Sequence, residues 1–456
     1  MQLRPEQNQT VELLIERVGI NGEGIGYWQG YTLFVDGALP GELAKARVVE
    51  RKKSYGHASL LSINHSSPSR VKPPCSLSGT CGGCQLMHVD YSYQLEIKRS
   101  RVEDALKRIG KFESFPLSPC IASPLPLSYR NKIQMPIRNG TNGLEIGFNK
   151  KNSHDLVAVD FCYIHCALGQ HIYASVRDVL KNSTLTAFDW STQQGILRHL
   201  IIKSAVYTDQ VLVVLVTNGL ASLELKAVAE EIMNQCPQVR GVVQNVNNQA
   251  DNVVLGEKFT ILAGKDFIQE KLCGLQFNVS ASAFFQVNPF QAEQLYEKVV
   301  EFADLEGKET VLDAFCGVGT LSLICAKQAK HVIGVECVSG AINDARQNAK
   351  NNAIQNVSFV CQDAEKYIQT LERIDVVILN PPRKGCEPSL LDKLGKLLPK
   401  KIVYVSCDPA TLARDLAHLS AFGYKIENVQ PFDMFPQTAH VENVVILHRD
   451  TSGTIQ

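Results

Sequence analysis

Neither sign of charge is in excess in this chain: 46 Lys and Arg face 46 Asp and Glu over 456 residues. That balance excludes a partner held mainly by bulk electrostatics, though not a local basic surface. No apolar run approaches the ~20 residues needed to span a bilayer. The opening "MQLRPEQNQTVELLIERV" lacks the apolar core of a secretory leader, so a cytoplasmic protein is expected. Internal repeats and low-complexity segments are also missing. Cysteine, by contrast, is plentiful: fourteen residues, expected in a reducing compartment as thiols or metal ligands rather than disulfides.

The order of patterns along the chain predicts three domains. Residues 1–62 read as short strands split by "NGEGIG" and "GALPGE", a small barrel of OB type. Arg47, Arg51, Lys52 and Lys53 fall on or after one of its strands. Residues 63–277 read as a mixed α/β domain that begins with a cysteine-bearing loop and a helix near 93–110. Residues 278–456 alternate strand and helix regularly, from "TVLDAF" through "HVIGVE", "VSFVCQ" and "DVVILN" to "KIVYVS". The expected fold is therefore α/β, with a doubly wound, Rossmann-like parallel sheet at the C-terminal end.

"VLDAFCGVGTLSL" is the first strand–loop–helix of that sheet. Its glycines allow a ligand to approach the backbone at a helix N-terminus. A dinucleotide fingerprint would place a third glycine at Ser322, and no Lys or Arg stands in the loop to meet a pyrophosphate. Glu336, Asp363 and Asn380 end the following strands. Acids or amides at successive strand ends suit ribose and adenine, and point to S-adenosylmethionine (SAM).

Cys407 ends the fifth strand, in "YVSCDPATLARD", just before a helix. The helix dipole at that position is expected to lower its pKa and favour thiolate. Glu442 lies in the apolar strand "HVENVVIL", where burial is expected to raise its pKa into the range of a general base. Far upstream, "CSLSGTCGGCQLMH" spaces Cys75, Cys81 and Cys84 for a metal. The fourth ligand is open: His88 would give a zinc site, whereas Cys162 or Cys166 in "DFCYIHC" would complete a four-thiolate iron–sulfur site. Basic strands holding Arg130, Lys132, Arg138, Arg198, His199 and Lys203 are candidates for a local nucleic-acid surface.

The motifs "GIGYWQGYTLFVDGALPGE", "CSLSGTCGGC", "FFQVN", "LDAFCGVGT", "NPPRKG", "SCDPATLARDL" and "HVENVV" run in order along nearly the whole chain. In this the chain resembles the RNA uracil-5-methyltransferase family, in particular the ribosomal RNA branch with a TRAM domain and an iron–sulfur cluster. The resemblance implies that Cys407 attacks uracil carbon 6, that carbon 5 takes a methyl group from SAM, and that Glu442 removes the carbon 5 proton. It implies SAM contacts at Gln286, Phe315, Thr320, Glu336, Asp363 and Asn380, and a 4Fe-4S cluster on Cys75, Cys81, Cys84 and Cys162. The cluster is expected to order the central domain. Large-subunit ribosomal RNA is the implied partner, met by a monomer without a membrane, with transfer RNA as the alternative. Asn380 stands where Asp is common in the family, and Thr320 where Asn is common. Because "NPP" also marks amino-methylating enzymes, an exocyclic amine is a second possible target. Phe284 is a candidate to stack on RNA or to pack in the core.

Overall fold

The structure is a computed structural model and describes residues 4–141 and 143–449; the outermost ends of the first and last expected domains lie outside them. Five strands form the N-terminal barrel: β1 (Thr10–Val18), β2 (Gly24–Trp28), β3 (Tyr31–Asp36), β4 (Leu43–Arg51) and β5 (Tyr55–His65). They close in the order β1-β2-β3-β5-β4. Alternate residues such as Val11, Leu13 and Ile15 point inward, and their neighbours face solvent. The cysteine-bearing loop follows. Then comes α1 (Tyr91–Arg108), opened by Asp90, whose carboxylate accepts from the Ser92 amide.

The central sheet holds β6 (Lys132–Gly140), β7 (Gly143–Asn149), β8 (Leu156–Ala158), β9 (Leu197–Ala205), β10 (Gln210–Thr217), β11 (Val239–Val246) and β12 (Lys258–Gly264), in the order β12-β11-β10-β9-β6-β7-β8. Helices α2 (Ala167–Asn182) and α3 (Leu223–Gln235) cover one face through Ile172, Val176, Leu225 and Ile232. The other face of β9 and β10 packs on the hairpin β13 (Phe267–Leu272) and β14 (Leu275–Ser280). The middle strands therefore carry no solvent face.

The last domain opens with α4 (Pro289–Ala303). It continues β15 (Thr310–Asp313), α5 (Thr320–Ala326), β16 (His331–Glu336), α6 (Ser339–Asn351), β17 (Val357–Cys361), α7 (Ala364–Tyr367), β18 (Val376–Leu379), α8 (Pro388–Leu397), β19 (Lys401–Ser406) and α9 (Pro409–Ser420), and ends in β20 (Tyr424–Phe432) and β21 (Glu442–Arg449). The sheet order is β17-β16-β15-β18-β19-β21-β20, with β21 antiparallel to β19. Successive residues go to opposite faces: Val311 joins Leu295, Val299 and Leu323, while Leu312 joins Leu390, Leu412 and Leu416. Val102 and Leu106 of α1 belong to this second core. Lys98 and Asp433, both fully buried, form an ion pair that ties α1 to the segment entering β21. Strand order reverses direction at β15, so a crevice opens above the carboxyl ends of β15, β16 and β18.

Candidate active site and cofactor pocket

The carboxyl rim of the catalytic sheet follows from strand order. Moving across it, one meets Asp363 after β17, Glu336 at the end of β16, the glycine loop after β15, Asn380 after β18, Cys407 after β19 and Glu442 at the start of β21. Asp313 is buried at the base of the glycine loop. Its Oδ2 accepts from Ser322 Oγ at 2.6 Å. Burial pushes Asp313 up to about 6. Gly319 adopts φ +82°, and an added Cβ would lie 2.9 Å from the Phe359 ring, so glycine is required there. Phe315 is half-buried in the loop, and Thr320 is buried as the first residue of α5.

Glu336 Oε1 accepts from the Val338 amide at 2.9 Å, which fixes the carboxylate at the rim. Asp363 starts α7 without capping it, and pairs with Lys366 at 3.2 Å. Asn380 is half-buried. Gln286 arrives from the segment between β14 and α4; it is buried and lies against the Tyr296 hydroxyl.

Cys407 and Glu442 are far apart in sequence, and the antiparallel register joins them. Ser406 pairs with Asn443, so the residue leaving β19 and the residue entering β21 share one edge. Glu442 is 4% exposed and makes no side-chain hydrogen bond or ion pair among the described residues. Burial pushes it up to about 8, the direction expected for a carboxylate in an apolar strand, with Arg383 opposing.

For Cys407 the expectation fails in the free protein. Its pKa is pushed up to about 11, first by burial and then by Glu442, against the pull of Arg383. Asp408 caps the helix, accepting from the Ala410 and Thr411 amides at 2.9 Å each, and its charge adds a smaller upward push to that of burial and Glu442. Arg383 of "NPPRKG" is the residue that the sequence reading passed over. It acts electrostatically on both Cys407 and Glu442 and also reaches the cysteine cavity. The Pro-Pro pair before it drew attention only to Asn380.

That cavity has a volume of about 370 Å³ and is walled by Cys75, Cys81, Cys84 and Cys162, with Arg383 and His440 on its border. The loop bearing Cys81 and Cys84 is strapped to β7 by Gly82 N donating to Asn149 O at 3.0 Å. The thiols are close enough to act on one another: Cys84 is raised first by burial, then by Cys162, Cys81 and Cys75. Cys166 does not join them. It caps α2, its sulfur accepting from the Gly169 amide at 3.4 Å. His88 does not line the cavity either, and lies under the influence of Arg70 and Glu42. Among the described residues no group of three or more His, Cys, Asp or Glu side chains is arranged to hold a metal ion.

Two of the basic residues expected to grip RNA are turned inside. Arg198 is buried, donates to Asn247 O, and sits 4.9 Å from the Trp190 ring centre. Lys203 is buried and saturated by backbone carbonyls. The reason is β9's central place in a sheet covered on both faces, where alternation exposes neither set. Lys132 is partly buried at the start of the adjacent strand and Arg130 lies partly buried just before it, outside the strand expected to hold it, whereas Arg47, Arg51, Lys52 and Lys53 of the barrel are exposed. Phe284 is 69% exposed and is not a core residue.

A doubly wound sheet with carboxylates along its carboxyl rim, a glycine loop at the reversal point and a thiol beside a buried carboxylate defines the architecture of a SAM-dependent methyltransferase. Comparison with known proteins narrows the class. The family described as tRNA (Uracil-5-)-methyltransferase matches residues 201–450, and the TRAM domain matches residues 4–61. An uncharacterized RNA methyltransferase of Halalkalibacterium halodurans is 42% identical over 446 residues, spanning 97% of both chains. One from Clostridium acetobutylicum is 40% identical over 450 residues, spanning 97% of this chain and 98% of its own. Among solved structures, the Pyrococcus abyssi tRNA (uracil-54, C5)-methyltransferase, in complex with S-adenosyl-L-homocysteine, superposes with a TM-score of 0.76 at 28% identity, covering 96% of this chain and 100% of its own. The chain belongs to the RNA (uracil-5-)-methyltransferase family, SAM-dependent enzymes, and carries a TRAM domain at its N-terminal end.

Proposed function

We propose that the protein forms 5-methyluridine in large-subunit ribosomal RNA by covalent catalysis through Cys407. The observation that carries this reading is the placement of Cys407 and Glu442 across the Ser406–Asn443 pair, on the rim that also bears the cofactor acids. Carbon 5 of uracil is a poor nucleophile until a thiolate adds to carbon 6, and a thiol at this edge meets that need. SAM, which Gln286, Phe315, Thr320, Glu336, Asp363 and Asn380 would hold, would supply an electrophilic methyl group and depart as S-adenosylhomocysteine. Cys407 loses its proton to solvent and adds to carbon 6 as thiolate, the form that Arg383 favours. The adjacent carbon 5 becomes nucleophilic and accepts the methyl group. Glu442, ionised, removes the carbon 5 proton, and Cys407 leaves as thiolate. The Arg383 guanidinium, which favours the charged forms of both groups, balances the negative charge that this cycle places between them. The target ring must leave its stack to reach the rim. Methylation of an exocyclic amine would leave both Cys407 and Glu442 without a task.

The four-thiol cavity suits a 4Fe-4S cluster better than one zinc ion. Four of the residues lining it are cysteines, the ligand set such clusters prefer, and no second ligand type such as His88 joins them there. Cys75, Cys81, Cys84 and Cys162 would hold the cluster, and Cys166 would not. Replacing Cys162 with Ser is expected to abolish iron binding, while Cys166→Ser retains it; iron and sulfide analysis of anaerobically purified protein decides.

Transfer RNA is the second reading, and the Pyrococcus neighbour favours it. That match spans 96% of this chain, so it includes the barrel, and possession of a barrel does not separate the two substrates. The ribosomal reading rests on the cysteine motif. Tritiated-methyl transfer to unmodified ribosomal and transfer RNA transcripts, with mapping of the product, tests it. Ribosomal RNA is expected to be the better substrate by at least about tenfold, a difference of ~1.4 kcal/mol; the opposite ranking reassigns the substrate.

A further inference from the structure

Lys203 lies in the middle of β9, buried, and makes no ion pair among the described residues. Its Nζ instead donates to three carbonyls: Ser280 at 2.8 Å, Ala281 at 2.7 Å and Ala283 at 2.8 Å. An ammonium has three donors and no acceptor, so this group is fully committed. All three acceptors belong to the segment that leaves β14, carries Phe284 and Gln286, and enters α4.

A second anchor follows immediately. Asn131 Nδ2 donates to Gln286 O at 3.1 Å, and its backbone amide donates to Val287 O at 2.8 Å. The Asn131 carbonyl in turn accepts from Ser204, Lys203's neighbour, at 2.7 Å. Both anchors therefore rise from one corner of the central sheet. Between them the chain projects Phe284 into solvent, while Phe285 turns inward against the core. Phe284 stands two residues from Gln286, whose partner Tyr296 is within electrostatic reach of Glu442. A large apolar ring held out on a doubly anchored backbone, on the segment that also carries Gln286, is the form of a stacking platform for an unpaired base.

We propose that Lys203 is a positioning residue: by gathering the carbonyls of Ser280, Ala281 and Ala283 it holds Phe284 out to stack on an RNA base next to the target uridine. The proposal rests on the substrate being RNA, and it assigns Lys203 no contact with RNA or with the reacting atoms. The test is equilibrium binding of an unmodified large-subunit ribosomal RNA transcript, which needs no turnover and so stays readable if the methylation chemistry proposed above fails. Lys203→Met, Phe284→Ala and the double variant are compared, with S-adenosylhomocysteine affinity measured by calorimetry on each.

Each single change is expected to weaken RNA binding by roughly tenfold, within the range of one lost base–aromatic stack. The double variant is expected to be no weaker than Phe284→Ala, and S-adenosylhomocysteine affinity should stay within about twofold. Unchanged RNA binding in either single variant overturns the proposal. So does a double variant whose loss is the product of the two, or an equal loss of S-adenosylhomocysteine. Should Lys203→Met not fold, Lys203→Gln, which keeps part of the donor set, is held to the same criteria with a smaller loss expected.

Discussion

Asp433 and Glu442 stand at the two ends of one short segment, both buried and both carboxylates, yet their surroundings differ completely. Asp433 is met by Lys98 of α1, which also donates to Phe435 O at 3.0 Å. Glu442 is met by no side-chain hydrogen bond and no ion pair among the described residues. The first arrangement locks two parts of the chain together. The second keeps a costly, unpaired carboxyl at the edge of a crevice, next to a half-buried thiol. Buried charge with a partner builds the molecule here, and buried charge without one is available for proton transfer.

The largest effect expected from breaking this contrast is at the thiol facing Glu442. Cys407→Ala is expected to lower tritiated-methyl transfer by at least about 10⁴-fold while leaving the melting temperature close to that of the parent. A variant that still turns over at a tenth of the parent rate would show that the thiol is idle. Glu442→Gln is expected to cost roughly 10²–10⁴-fold in turnover. It should also accumulate a protein–RNA adduct resistant to denaturant, since addition and methyl transfer can proceed while proton removal cannot.

The Glu442 carboxyl also sets a pH dependence. The fold raises its pKa to about 8 from an ordinary 4.5, so the native state binds the extra proton. The stability this gives is full below about 4.5 and is lost as pH rises through 8. Glu442→Gln, neutral throughout, should therefore gain melting temperature relative to the parent between pH 5 and pH 9. Activity runs the other way: kcat/KM should rise steeply with pH to about 8 and then less steeply toward about 11, because Glu442 must be ionised and Cys407 must be thiolate.

At Asp433 the prediction inverts. Lys98→Met strands a buried carboxylate and is expected to cost roughly 3–5 kcal/mol of stability by urea unfolding, with turnover of the folded fraction changed by less than about twofold. A large turnover loss in folded Lys98→Met protein would make the pair part of the chemistry.

Much of the rim was legible because each strand of a parallel sheet ends at the same edge. Glu336, Asp363, Asn380 and Cys407 could each be placed by finding where an apolar run stops. The pairing of Cys407 with Glu442 was not legible locally. It depends on which residue of β21 faces Ser406, and register between strands separated by a helix and another strand leaves no mark in either one. Asp408 was visible as a helix cap, but the upward push of its charge on the thiol emerges only in three dimensions. Arg198 and Lys203 misled for a related reason: a charged residue in a strand suggests solvent, and only the sheet order shows that β9 has none. The cysteine cavity unites two segments far apart in the chain, and spacing alone could not choose between Cys162, Cys166 and His88. The structure brings Cys162 to the cavity because Cys166 is spent as the cap of α2.

The most direct test of the central claim is to present the enzyme and SAM with RNA containing 5-fluorouridine, whose fluorine cannot be removed by the base. The account predicts a denaturant-resistant complex joined through Cys407, lost in Cys407→Ala. Normal methylation of unsubstituted RNA with no such complex at residue 407 would contradict it.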